Sequence, residues 1–161
     1  MRIILIFILS LLSFNVFSQD KNLLQKQLLQ LLLDYPNKFK NLEDKNQPFV
    51  LKFQISGTEG NALILSDSAE VHVTAYLVTP NSDTEAKELF EKWVVIMDNM
   101  NINGAKLKSK DLVAGKTDIY NRGWYFDNTK NNIDRKYLPF SITIRILKFQ
   151  GAYAAAMYVG D

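Results

Sequence analysis

Between Phe49 and Met100 the spacing of apolar residues changes from two to about 3.6, and no other feature limits the fold as much. Val71, Val73, Ala75 and Leu77 alternate along one stretch, as the buried face of a strand does. Ala86, Leu89, Phe90, Trp93, Met97 and Met100 then fall on one face of a helix over Ser82 to Met100. Ser82 and Glu85 stand in the S-x-x-E relation of a capping box, which fixes where that helix starts. An apolar strand face and an apolar helix stripe must both be covered, and each can cover the other. This pair therefore predicts a helix-on-sheet core.

The rest of the chain extends the pattern. Phe49 to Ser56 alternates through Phe49, Leu51, Phe53 and Ile55. Asn61 to Ser66 follows across the turn Gly57 to Gly60, and Asp67-Ser68 leads into a third strand, Glu70 to Thr79. Beyond the helix, Asn101, Asn103 and Gly104 read as its end, and the Lys106, Lys108, Lys110 stretch as a polar edge strand or a loop. Asp118 to Asp127 reads as a strand. Phe140 to Phe149 and Ala152 to Val159 form a pair around the tight turn Gln150-Gly151. A leucine-rich helix, Lys21 to Tyr35, precedes all of these and is ended by Pro36. The order α-βββ-α-βββ, with short turns between strands, predicts an α+β fold: an antiparallel sheet of about six strands with helices packed on it.

The first residues read as a signal peptide. Arg2 is the one charge before Asp20, Ile3 to Phe14 is almost wholly apolar, and Val16-Phe17-Ser18 suits a signal peptidase. Cleavage after Ser18 would leave residues 19–161 as one α+β domain, exported to the periplasm or secreted. The apolar run is shorter than the roughly 20 residues of a spanning helix, so a membrane would be met only through this segment if it stayed uncleaved. The chain has no cysteine. That excludes a lipid-modified N-terminal cysteine, hence a lipoprotein, and excludes disulfides. The domain must stand on core packing alone, which a chain of this length with 47% hydrophobic residues can supply.

Charge is divided along the chain. Gln19 to Met100 carries 8 basic and 12 acidic residues; Asn101 to Asp161 carries 10 basic and 5 acidic. Such a division suits a dipolar surface that orients a partner or favours head-to-tail assembly, and equally suits solvated faces with no further role. The overall charge of +2 is too small for a nucleic-acid binder.

Leu31-Leu32-Leu33-Asp34-Tyr35-Pro36-Asn37-Lys38-Phe39-Lys40-Asn41-Leu42, an LLxDYPNxFxNL segment, resembles an opening seen in small exported proteins of unknown function from Bacteroidota. The mid-chain Glu85-Ala86-Lys87 helix is similar as well. The resemblance implies a Gram-negative envelope or secreted location and brings no activity with it.

Most chemistries find no residues to carry them. His72 is the single histidine, so neither a zinc site nor a Ser-His-Asp arrangement has ligands to spare, and no G-x-S-x-G turn is present. Asp127, Asn128, Asn131 and Asp134 share a loop without the spacing of a calcium loop. The seven glycines form no phosphate cradle. No cofactor, metal or catalytic residue is assigned. What remains is a sheet face. If Val71, Val73, Ala75 and Leu77 face the helix, then His72, Thr74 and Tyr76 face away. Lys52, His72, Tyr76, Arg122, Trp124 and Arg145 would then make a mixed aromatic and basic surface for a partner protein or a small anionic or sugar-like ligand. The function expected is a non-enzymatic exported binding domain. The alternatives are a hydrolase-type enzyme whose carboxylates meet only in the fold and a structural subunit of envelope assembly. If the first helix covers the face, its aromatics are merely core.

Overall fold

The computed structural model describes residues 21–66, 70–127 and 133–160. The signal segment, the Asp67-Ser68 turn and the loop positions Asn128 and Asn131 lie outside these residues. Helix α1 (residues 21–34) opens the described chain, and a 3-10 turn, Tyr35–Asn37, follows where Pro36 stops it. Strands β1 (Glu59–Ser66) and β2 (Val71–Tyr76) precede helix α2 (Asp83–Asp98). After α2 come a two-stranded hairpin, β3 (Asn101–Ile102) with β4 (Ala105–Lys106), and the strands β5 (Lys108–Asp111), β6 (Asp118–Tyr125), β7 (Ser141–Phe149) and β8 (Ala152–Gly160). Six strands form one antiparallel sheet in the order β1-β2-β8-β7-β6-β5. The fold is α+β, as the order of apolar periods requires.

Helix α2 starts where the capping residues place it. Ser82 Oγ accepts from the Glu85 N–H at 3.2 Å, and Glu85 reaches back to the Asn81 N–H at 2.8 Å. Its buried residues Ala86, Trp93 and Met97 meet Ile142, Ile144 and Ile146 of β7 and Val73 and Ala75 of β2 in one core. Leu24, Leu28, Leu31 and Leu32 of α1 complete that core. Tyr35 meets Phe140 edge-on at 5.7 Å, which puts α1 on the same side of the sheet as α2. Among the described residues no helix lies on the other face of the sheet.

The early strand departs from its alternation. Phe49–Ser56 is not laddered: only Val50 and Leu51 form isolated bridges. Phe49 has φ +64° and is 65% exposed, a conformation that a strand cannot hold. Leu51 N–H donates to Ala62 O at 2.8 Å and Ile64 N–H to Phe49 O at 2.7 Å. The chain then leaves β1, with Lys52 N–H donating to Leu42 O. Gln27 of α1, itself buried, takes over the backbone beyond. Its Nε2 donates to Gln54 O at 2.7 Å and its Oε1 accepts from Ser56 N–H at 2.8 Å. A glutamine side chain thus satisfies groups that a neighbouring strand would otherwise need to pair. The sixth place in the sheet goes to β5. Asn103-Gly104, read as a helix end, is the turn of the β3–β4 hairpin, with φ of +54° and +78° at its two residues.

Candidate functional site

The period of two in β7 sorts its side chains. Ile142, Ile144 and Ile146 point to the helices and are fully buried; Ser141, Thr143 and Arg145 take the helix-free face. The register extends this across the sheet. His72, Gly160 and Ser141 lie in one row. Thr74, Tyr158, Thr143 and Gly123 form the next, and Tyr76, Ala156, Arg145 and Asn121 the third. Side chains rise unevenly from these rows. Gly160 has no freedom to carry one: its φ is +140°, and a Cβ there would stand 2.4 Å from the Val71 carbonyl oxygen. Leu112, just beyond β5, leans over Gly123. The result is a shallow concavity of about 350 Å³ over Gly160, Ser141 and Thr143, with His72, Tyr158 and Arg145 standing around it and Glu70 at its margin.

Arg145 is held from below. Its Nη2 donates to both oxygens of Asp118, at 2.9 and 3.0 Å. The Asp118 side chain is 1% exposed and that of Arg145 is 36% exposed. Asp118 reaches this face because β6 is irregular. Asp118 pairs with Leu147 but Tyr120 with Ile146, so Ile119 is an extra residue between them. Without that bulge Asp118, Tyr120 and Arg122 would share one side. With it, Tyr120 goes to the helix side, where it stacks on Phe90, while Asp118 turns toward Arg145. Burial disfavours the Asp118 carboxylate. The Gly115 N–H at 2.9 Å, the Arg145 guanidinium and the Asn121 amide outweigh it and hold the carboxyl below its ordinary value. The guanidinium also lies over the Tyr158 ring at 5.5 Å, and the His72 ring is 5.8 Å from Tyr158.

Three of the six residues expected to form a surface share this face: His72, Tyr76 and Arg145. Tyr76 is 51% exposed and lies four residues along β2 from His72, outside the concavity. The other three are elsewhere. Trp124 is fully buried on the helix side, where its Nε1 donates to Asp98 Oδ1 of α2 at 2.7 Å. Arg122 is on that side too. It donates to Ser109 Oγ at 2.8 Å, pairs with Asp98 and Asp111 at 3.4 Å, and lies over the Trp124 ring. The bulge at Ile119 puts Arg122 and Trp124 on the face opposite to Asp118. Lys52 is off the sheet, its Nζ donating to Asn41 O at 2.9 Å. Lys52 therefore supports the loop after α1 and does not join a ligand surface. Among the residues that sequence reasoning missed, Tyr158 was legible, because alternation in β8 sets Ala154, Ala156 and Tyr158 on one side. Asp118 was not, because nothing in Asp118-Ile119-Tyr120 marks a bulge.

Among the described residues no group of three His, Asp or Glu side chains is placed to hold a metal ion, and no helix is long and apolar enough to cross a membrane. Comparison with family models, with curated proteins and with solved structures gives no match.

Proposed function

We propose that the protein is an exported, non-enzymatic binding domain whose ligand site is the concavity on the helix-free face of the sheet. One observation carries the reading. Among the described residues no helix covers that face while both helices cover the other, and its centre is a hollow lined by His72, Ser141, Thr143, Arg145 and Tyr158 together with Leu112 and Gly160 rather than a flat solvated surface. His72, Arg145 and Tyr158 are the residues assigned to contact. Thr143 and Ser141 form the floor. Export rests on the apolar N-terminal run and on the Ser18 processing position. The carboxylate-enzyme reading asks for two acidic groups converging with one held protonated. Glu70 is the one acidic residue lining the hollow among the described residues, and Asp118, buried behind Arg145, is held toward the ionised form, which favours a binding role.

Two measurements test this. Expression in a Gram-negative host is expected to yield a chain beginning at Gln19 in the envelope or medium, read by intact-mass analysis. An unprocessed cytoplasmic chain would refute export. Molecules that co-purify with the protein are expected to be lost from Thr143→Trp, which fills the hollow. The same molecules on both proteins would move the site elsewhere.

A further inference from the structure

The concavity is built for a hydroxyl-rich ligand without formal charge, and we infer that it takes a neutral oligosaccharide rather than an anion. This rests on the reading of the hollow as the ligand site and specifies its chemistry. Arg145 is the one formal cation among the described residues that line the hollow, and its charge is already matched. Nη2 donates to both oxygens of the Asp118 carboxylate. An anion entering here would meet a guanidinium whose charge is already cancelled by the Asp118 carboxylate.

The remaining groups fit hydroxyls. Thr143 Oγ1, the Tyr158 hydroxyl and the His72 ring nitrogens make no hydrogen bond among the described residues, and each of these side chains can both donate and accept. Ser141 Oγ donates to the Gly160 carbonyl at 2.8 Å, which leaves its lone pairs for an incoming donor. A sugar hydroxyl is donor and acceptor at once, so a floor of this kind can satisfy adjacent hydroxyls in either sense. A sulfate accepts only, and would leave the acceptor capacity of Ser141 unused.

The test is an amide-resolved NMR titration of the purified protein. One set of titrants is neutral: maltotriose, cellotriose and the trimer of N-acetylglucosamine. The other is anionic: inorganic sulfate and an oligogalacturonate. The expected result is saturable shifts at Ser141, Thr143 and Tyr158 with at least one neutral oligosaccharide and none there with sulfate. Thr143→Ala should weaken that binding about tenfold. Asp118→Asn frees the guanidinium and should gain sulfate-dependent shifts at Arg145 that the parent protein lacks. If the anions shift these amides and the neutral sugars do not, the oligosaccharide inference falls while the hollow stands as a binding site. If no titrant moves them, and shifts appear elsewhere or not at all, the inference and the site fall together. Should Asp118→Asn prove unfolded by circular dichroism, the parent and Thr143→Ala titrations decide the matter.

Discussion

Asp118 shows how much one carboxylate can organise. Gly115, Asn121 and Arg145 all donate to it while its own side chain is almost out of water. Because the folded protein holds this carboxyl below its ordinary value of 3.8, the unfolded chain binds the proton more readily. The resulting stabilisation is complete above that ordinary value and is lost as pH falls through the lower folded one. Asp83 acts in the same direction at the surface: hydrogen bonds from Lys148 and Tyr153 lower its value. Asp118→Asn should cost about 1–3 kcal/mol at neutral pH, the usual price of leaving buried donors short of their acceptor. It should also flatten the acid limb of stability against pH, and urea unfolding across that limb checks both. A variant whose acid limb matched the parent's would remove Asp118 as the source. At this scale the sequence was partly legible. Alternation identified His72, Tyr76 and Arg145 as neighbours on one face, since period two survives wherever a strand is regular. It misplaced Arg122 and Trp124, because alternation shows that they share a side of β6 but not which side meets the helices, which their pairing with Ile144 and Ile142 decides.

Elements in this fold are joined by side chains that replace backbone ladders. The end of α1 is the plainest case. Asp34 is buried, and its carboxylate accepts from Asn37 Nδ2 at 3.0 Å, from the Asn41 N–H at 3.0 Å and from Asn41 Nδ2 at 2.6 Å. Between them the chain reverses at Lys38 and Phe39, with φ of +58° and +59°, and so drives Phe39 fully into the core. Two consecutive left-handed residues outside glycine are costly, of order 1–2 kcal/mol each, and the Asp34 knot offsets that cost. The Asp34, Asn37, Phe39 and Asn41 positions of the LLxDYPNxFxNL segment thus have a structural reason for their spacing. Asp34→Ala should destabilise the protein by about 2–3 kcal/mol, read as a lower urea midpoint, while leaving binding at the distant hollow unchanged in the surviving folded fraction. A neutral effect would mean that the turn holds without the knot. Helix α2 was legible to within two residues, since its cap and its apolar stripe both lie in local sequence. Phe49–Ser56 was not. Its alternation is real, with Leu51 and Ile55 buried, but Gln27, distant in sequence, takes the hydrogen bonds that a strand would have needed.

Seen whole, the sheet has an acidic cluster beside one edge and two lysines, followed by Asp111, on the strand at the other. Glu43, Asp44 and Glu59 gather beside β1, and Lys108 and Lys110 lie on β5, the last strand at the other end. Head-to-tail pairing of those edges would suit the charges, but the backbone forbids it. The β1 edge already spends Ala62 O and Ile64 N–H on the segment from Phe49 to Leu51. The β5 edge differs. Leu112 N–H donates inward to Asn121 O, and alternation then turns the N–H and C=O groups of Ser109 and Asp111 outward. An open edge of this kind invites a second copy to pair with it. Two β5 strands meeting antiparallel would bring Lys108 and Lys110 of one copy against those of the other, and facing like charges in a sheet oppose pairing. Lys108, which pairs with Asp127 at 3.9 Å, and Lys110 therefore oppose pairing of two copies through this edge. Lys108→Thr combined with Lys110→Val removes the repulsion and raises strand propensity. Sedimentation velocity should show the parent as a monomer and the double variant as a concentration-dependent dimer. A further Ser109→Pro substitution removes one outward N–H and should return the dimer to monomer. If the double variant stays monomeric at every concentration, the lysines are not what guards the edge. If it dimerises and Ser109→Pro leaves the dimer intact, association runs through another surface.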